Sequence, residues 1–277
     1  MRWLSLLFLS FGGFLCVNLC WLTHSQRFEA SKMDSPFSFE KRWEVAAPSY
    51  QEHLNQNYSY LGHGKQALVF ASVDGRYVLK FFPNSRKRSD HWMTSGENWI
   101  KYCTPLSIYQ WLAYRRDLKV LFDRYTMAFK ELREETGLIA IHFNRTEGQF
   151  LPFTLVDRQG NRHTLSLDEM PFVVQHRAQL VGERLQETFA KEGSAGVVRE
   201  TAALKALFTS RAKKGFTDPR QVFKKNYGFV GEKAIQLDVG KIRKASEVEE
   251  NPEEEISKIS KRLNAWVERR YPQSAEI

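Results

Sequence analysis

The chain has 277 residues and a formal net charge of +9, with 42% hydrophobic and 26% charged residues, which is the composition of an ordinary globular protein. Its three cysteines show no disulfide framework or zinc spacing, and its seven histidines are scattered, so we expect neither a disulfide scaffold nor a transition-metal site. The positive charge suits anionic partners such as nucleotide phosphates or anionic lipid, but no aromatic-interleaved basic motif accompanies it, and we expect no specific nucleic-acid partner.

Residues 3–22 form the first predicted element, a stretch of apolar and small polar residues without any charge. A helix of this length just crosses the ~30 Å hydrocarbon core of a bilayer. The alternative is a secretory signal, but the apolar region of a signal is usually shorter, at ~7–15 residues. We therefore predict that residues 1–24 are a single-pass membrane anchor, while residues 23–25 would serve as a poor cleavage site if the segment were a signal.

The basic residues on either side of this segment predict its orientation. Arg27, Lys32, Lys41 and Arg42 follow the segment, whereas only Arg2 and the amino terminus precede it. Because positive charge is retained on the cytoplasmic side, the main domain is expected in the cytoplasm. Cleavage of the leader would instead leave a secreted or periplasmic domain.

Residues 25–55 have the mixed composition of a juxtamembrane linker, and a unit of three strands follows them. Asp74-Gly75 has the chemistry of a tight hairpin turn between the second and third strands. Lys80 interrupts the third strand, and a lysine inside an apolar strand is costly to desolvate unless it meets an anion. The strands are predicted at residues 58–61, 67–72 and 77–82, with a glycine turn at 62–66.

The next elements complete a first structural part, residues 56–178. Apolar residues at helical spacing predict one long helix over residues 108–136, with Gly137 as its C-cap. Glu131 and Glu135 flank its apolar stripe, either as surface residues or as partners of a buried cation. Further strands are predicted at residues 138–143, 153–157, 163–167 and 172–178.

A second part, residues 179–277, contains a predicted helix over residues 195–213 and a small hairpin over residues 227–237. Asn226 directly precedes the hairpin, and Asp238-Val239-Gly240 directly follows it. Asn251, Pro252 and three glutamates then start an amphipathic helix that extends to about residue 271. This helix is expected to pack on the domain, and the alternative is that it docks on a partner or a membrane surface.

The pattern Gly62-x-Gly64-x-x-Ala67-x-Val69, followed by Val78-Leu79-Lys80, resembles the nucleotide-binding front end of protein kinases. Asn226, the hairpin and Asp238-Val239-Gly240 resemble the metal-binding part of the same family, at a similar spacing. The resemblance implies an α+β, kinase-like fold. It would have a five-stranded antiparallel N-lobe with one long helix and a small, mostly helical C-lobe, preceded by the transmembrane helix.

The resemblance also implies a site for Mg²⁺ and ATP. Gly62 and Gly64 would hold the phosphates, and Lys80 would pair with them, because glycines let backbone N–H groups approach phosphate closely and an ammonium supplies the counter-charge. Asn226 and Asp238 would hold Mg²⁺, which prefers hard oxygen ligands. The remaining implied residues are Glu135 or Glu131 as the ion-pair partner of Lys80, and Gln175 and Ala178 at a hinge that contacts the nucleotide.

The sequence departs from the family at three places. The third glycine of the loop is Ala67, and Gln221 stands where kinases carry the catalytic aspartate. Asp218, three residues earlier, is the candidate base, and the alternative is that it only caps the turn at Pro219. After Gly240 there is neither an Ala-Pro-Glu motif nor room for the usual second lobe.

Two classes of function remain open from the sequence. The first is a membrane-anchored, kinase-like protein that binds Mg-ATP, either with phosphoryl transfer to an unknown acceptor or as an inactive nucleotide binder. The second is a membrane-tethered scaffold or interaction protein without a nucleotide. In that case Lys80 would be an edge-strand lysine that extends to solvent, and Asp238 would be a turn residue.

Overall fold

The computed structural model describes residues 30–45, 51–64, 66–84 and 105–272. The helices of these ranges are α1 (Gln51–Leu54), α2 (Pro105–Glu131), α3 (Arg133–Thr136), α4 (Val181–Lys213), α5 (Phe223–Asn226), α6 (Ser246–Glu250) and α7 (Pro252–Glu268), with 3₁₀ turns at Ala30–Met33, Lys41–Trp43 and Leu167–Glu169. The strands are β1 (Tyr58–His63), β2 (Leu68–Ser72), β3 (Tyr77–Phe81), β4 (Leu138–His142), β5 (Phe153–Val156), β6 (Arg162–Leu165), β7 (Phe172–His176), β8 (Gln179–Leu180), β9 (Phe216–Thr217), β10 (Tyr227–Val230), β11 (Lys233–Gln236) and β12 (Arg243–Lys244).

The main sheet has seven strands in the order β4-β7-β3-β2-β1-β5-β6. The neighbours from β4 to β1 pair antiparallel, but the hairpin β5–β6 joins the other edge through a parallel pairing of β1 with β5. The predicted five-stranded antiparallel lobe of a kinase-like α+β fold is therefore wrong, and the chain has a mixed α/β structure. The hairpin was expected from its turn residues, but its pairing to a strand almost a hundred positions earlier leaves no local signal in the sequence.

Side chains alternate across β3, so that the two faces of the sheet have different partners. Leu79 and Phe81 point into a core on the face that the β5–β6 hairpin also covers. Lys80 and Phe82 point to the other face, where α2 packs. The core on that face is aromatic, with Phe122 of α2 stacked on Phe143 at a centroid distance of 4.2 Å.

The predicted long helix is interrupted near its end. Helix α2 ends at Glu131, Leu132 has non-helical dihedral angles, and the short helix α3 follows. Gly137 caps α3 with φ 63°, and its N–H bonds to Arg133 O at 2.9 Å. This left-handed conformation is favourable for glycine, which is why the chain turns directly into β4 here.

Helices predominate in the second part of the chain, as the sequence predicted, but five short strands also form there. Helix α4 begins at Val181 and is kinked at Gly193, and it packs against two small sheets, β11-β10-β8 and β12-β9. Helix α7 packs back on α4 through Ile259, Leu263 and Val267, which are buried in the core of this part. The three strands that the sequence did not predict, β8, β9 and β12, have only two residues each.

The predicted transmembrane helix, residues 3–22, lies outside the described residues. Within the described ranges, no helix combines the length and the apolar character that a membrane crossing needs.

Candidate functional site

Lys80 lies on an interior strand of the main sheet, β3, and contacts the second part of the chain. Its Nζ donates a hydrogen bond to the carbonyl oxygen of Leu237 at 2.7 Å, across 157 positions of sequence. Burial lowers the pKa of Lys80 to about 8, and the nearby negative charge of Asp238 opposes this shift. The ammonium is therefore held at the turn that follows β11, where a negative group is already present.

The glycine-rich hairpin lies on the same row of the sheet as Lys80. Gly62 of β1 pairs with Val69 of β2, which in turn pairs with Lys80 of β3. Strands are ~4.8 Å apart, so that Gly62 and Lys80 lie about 10 Å apart across this row. A Cβ at Gly62 would meet no atom within 4 Å, and Gly64 closes the hairpin tip through a bond from its N–H to Ala67 O at 2.8 Å.

Asp238 begins a tight turn beside Lys80. Its Oδ1 accepts a hydrogen bond from the Gly240 N–H at 2.8 Å, while the side chain remains exposed. Asn226 lies against the same turn, because its carbonyl oxygen accepts a bond from the Leu237 N–H at 2.8 Å. The Asn226 side chain forms no hydrogen bond with any described residue. Both side chains thus keep oxygen atoms available, which is the ligand chemistry that suits Mg²⁺.

Helix α2 holds this turn from the other side. The Arg124 guanidinium donates to the Gly240 carbonyl, and a Cβ at Gly240 would lie 3.4 Å from Leu121 Cδ1. Val239 is fully buried in the aromatic core together with Tyr125. The turn is therefore fixed by a hydrogen bond and by apolar packing on one helix.

The two glutamates expected to pair with Lys80 lie elsewhere. Glu135 is buried and accepts bonds from Lys214 Nζ and Ser210 Oγ, each at 2.6 Å. Burial opposes its ionisation, but these hydrogen bonds outweigh it and lower the pKa of the carboxyl group. Glu131 pairs with Lys244 at 3.5 Å. In this structure the carboxylate beside Lys80 is Asp238, and α3 is tied to α4 instead.

Asp218 is buried and close to Asp238, but both of its oxygens are engaged. Oδ1 accepts from the Arg220 N–H at 2.8 Å, and Oδ2 accepts from Gln236 Nε2 at 2.7 Å. Burial raises the pKa of Asp218, and the charge of Asp238 adds to this effect. The hydrogen bond from Arg220 is the one expected if Asp218 caps the turn at Pro219. The catalytic role of Asp218 stays a prediction.

The predicted hinge residues connect the two parts of the chain. Gln175 of β7 is fully buried, and its Nε2 donates to Thr136 O at 2.6 Å and to Gln236 O at 3.3 Å. Its Oε1 has no partner among the described residues. Ala178 lies between β7 and β8 and packs against Gly228, where a Cβ would come within 2.8 Å of its own. A nucleotide contact by either residue stays a prediction.

Three further residues at this site were not singled out from the sequence. Arg211 and Gln236 are fully buried and hydrogen-bonded to each other at 2.6 Å, and Gln236 also donates to the Asp238 carbonyl at 3.0 Å. Tyr125 lies in the apolar stripe of α2, where an aromatic residue is expected to serve the core alone. The only signal in the sequence is that each of these residues carries a polar group at a helix or strand position that faces the core.

No family model matches the chain, and no curated protein matches it. Among solved structures, the chain is similar to one described as "Low resolution structure of WbdD with C-terminal bundle ordered to residue 505". The two share 14% sequence identity over 69% of this chain and 31% of that chain, with a TM-score of 0.29. This chain spans less than a third of that protein's length, and a likeness at this TM-score carries no argument about fold or function.

Proposed function

We propose that the chain binds a magnesium nucleotide, with ATP as the nucleotide, beside Lys80 and Asp238. The carrying observation is the Lys80 ammonium, which donates to Leu237 O at 2.7 Å next to the Asp238 carboxylate. Asp238 and Asn226 would hold Mg²⁺ through oxygen atoms, and Lys80 would neutralise a phosphate. Gly62 lies on the same sheet row, with open space where a side chain would stand. The sequence resemblance to protein kinases supports the same ligand.

The proposal is tested by thermal unfolding of the full chain with and without millimolar Mg-ATP, in one mild detergent throughout. A ligand at ~100 times its dissociation constant adds ~2.7 kcal/mol to the free energy of unfolding. We expect an upward shift of several degrees that Lys80→Met and Asp238→Asn abolish and that EDTA reduces. Lys233→Met, the same substitution at an exposed position of β11, should keep the shift. An unchanged melting temperature with every nucleotide would leave the interaction-protein function standing.

The pH dependence of binding gives a second measurement. Because burial lowers the pKa of Lys80 to about 8, a growing share of free molecules lacks the ammonium as the pH rises through 8. We expect the affinity for Mg-ATP to fall between pH 7 and pH 9. Lys80→Arg stays charged over this range, so any residual binding by this variant should lose that pH dependence.

Phosphoryl transfer is a second candidate function, favoured by one observation. Asp218 is a buried carboxylate near Asp238, and its raised pKa makes it a better proton acceptor than an exposed aspartate. Transfer requires that Asp218 leave its bonds to Arg220 and Gln236. Release of phosphate from Mg-ATP, lost in Asp218→Asn while Mg-ATP binding persists, would support an enzyme. Binding without any turnover would support an inactive nucleotide-binding scaffold.

A further inference from the structure

The long helix α2 presents a phenol rather than a carboxylate to the Lys80–Asp238 site. Lys80 and Phe82 lie two positions apart on the chain leaving β3 and therefore point to the same face of the sheet. Tyr125 packs its ring on Phe82 at a centroid distance of 5.4 Å and on Phe143 at 6.2 Å. The ring is thus fixed directly beside the strand position from which Lys80 extends.

The same tyrosine also lies close to the metal-binding turn. Tyr125 shares the buried core with Val239, the residue after Asp238, and Arg124 next to it bonds to Gly240. Burial raises the pKa of Tyr125, and the negative charge of Asp238 adds to this effect. The phenol therefore remains protonated near neutral pH and is a hydrogen-bond donor to an anion.

The Tyr125 hydroxyl lacks a hydrogen-bond partner within the described ranges. It forms no hydrogen bond with any residue that the structure describes, although the side chain is only 4% exposed. The hydroxyl oxygen is not among the fully buried side-chain atoms that lack a partner, so it borders accessible space where it can meet a ligand or water. Tyr114, on the same helix and equally buried, shows the contrast, because its hydroxyl donates to Pro83 O at 2.9 Å.

We propose that the Tyr125 hydroxyl is a ligand-binding group of this site and donates a hydrogen bond to a phosphate oxygen of the nucleotide held between Lys80 and Asp238. The inference rests on the proposed nucleotide function. It assigns to α2 a neutral hydrogen-bond donor in place of the expected glutamate. Because no glutamate of α2 then pairs with Lys80, the ammonium would interact with the Leu237 carbonyl and with the ligand.

The test compares Tyr125→Phe with Tyr114→Phe in the full chain, by Mg-ATP titration and by thermal unfolding without ligand. Tyr125→Phe should weaken the affinity for Mg-ATP about tenfold, the loss of one hydrogen bond to a charged group, with an unliganded melting temperature equal to that of the wild type. Tyr114→Phe should lower the unliganded melting temperature and leave the affinity unchanged. Titration with inorganic triphosphate should show the same loss in Tyr125→Phe, because the proposed contact is to phosphate.

Two results would overturn the inference. One is an affinity of Tyr125→Phe equal to that of the wild type. The other is a fall in affinity accompanied by a lowered melting temperature of unliganded Tyr125→Phe, which would show that the hydroxyl serves the fold. If the wild type itself fails to bind Mg-ATP or triphosphate, the proposed nucleotide function fails, and the contact of Tyr125 with that ligand fails with it. Wild-type binding that is lost in Lys80→Met but kept in Tyr125→Phe rejects the tyrosine contact alone.

Discussion

Lys80 and Arg211 are two cations below the surface that are stabilised in different ways. Lys80 can lose its proton, and burial lowers its pKa to about 8. Arg211 cannot lose its proton, and its Nη1 donates to Gln236 Oε1 at 2.6 Å and to the Tyr227 hydroxyl at 3.3 Å. Gln236 in turn donates to Asp218, so the arginine charge is balanced by a carboxylate through one intervening amide.

This arrangement closes into a ring of hydrogen bonds. The Tyr227 hydroxyl donates to Gln221 Oε1 at 2.5 Å, and Gln221 Nε2 donates to the Asp218 carbonyl at 2.6 Å. Gln221 occupies the position where the kinase resemblance implied a catalytic aspartate. A neutral amide there can donate and accept at once, whereas a carboxylate can only accept. The residue that departs from the family pattern thus completes a buried network between α4 and the Asp218 turn.

His142 gives a prediction at the scale of one residue. Its ring packs against Phe150 and Phe172 at centroid distances of 4.8 and 5.1 Å, and its Nε2 has no partner among the described residues. Burial lowers the pKa of His142 to about 4, although Asp168 opposes the shift. Below about pH 6.5 this histidine is protonated in the unfolded chain, whereas in the folded chain it stays neutral down to about pH 4. The free energy of unfolding therefore falls as the pH drops from about 6.5 to about 4.

For His142 alone, the free energy of unfolding should fall by about 2 kcal/mol between pH 7 and pH 5. Urea unfolding of the wild type and of His142→Phe at both pH values measures it. The variant should lose about 2 kcal/mol less than the wild type over this interval, because phenylalanine has no proton to gain. Equal losses in the two proteins would mean that His142 is protonated in the folded state as readily as in the unfolded chain.

Helix α7 gives a prediction at the scale of one element. Leu263 is fully buried between α7 and α4, so that truncation leaves a cavity there. Leu263→Ala should lower the free energy of unfolding by about 2–5 kcal/mol, as measured by chemical denaturation. Lys261→Ala, at an exposed position of the same helix, should change it by less than about 0.5 kcal/mol. If both variants unfold like the wild type, α7 is not part of the folded domain in solution and is free to dock elsewhere.

The elements whose signals are local were predicted well from the sequence. The Asp74-Gly75 turn, the alternation of β3 around Lys80 and the Gly137 cap each depend on residues within a few positions. The hairpin β10–β11 also lies where residues 227–237 predicted it. Lys80 within β3, Asn226 directly before β10 and Asp238 shortly after β11 all lie near the same turn.

The partners of these residues could not be predicted in the same way. Glu135 was expected near Lys80, yet it lies on α3 beyond the break at Leu132, and Lys214 is the cation that it meets. No proline or glycine within residues 129–136 marks this break in the sequence. Tyr125 was assigned to the core, which is correct for its ring, but the hydroxyl position depends on where Asp238 arrives from the second half of the chain.

At the scale of the whole molecule, the candidate site lies where the two halves of the chain meet. Lys80 and Gln175 both extend from the seven-stranded sheet to carbonyl groups at the end of β11, those of Leu237 and Gln236. A ligand held between Lys80 and Asp238 would therefore contact both halves at once. Its binding free energy would add to the stability of the whole folded chain rather than to one half, which is why thermal unfolding is a suitable readout.

The apolar segment at residues 3–22 leads to the prediction that concerns the whole chain. As a single span it should keep the full chain in the membrane fraction through washes with high salt and with alkaline carbonate, whereas a variant lacking residues 3–22 should be released. Attachment through the net charge of +9 alone would instead be lost at high salt, because salt screens charges at a surface. Mass spectrometry of the purified full chain separates the remaining alternative: an intact amino terminus agrees with an anchor, and a mature chain that starts near residue 25 would show that the segment is a cleaved signal.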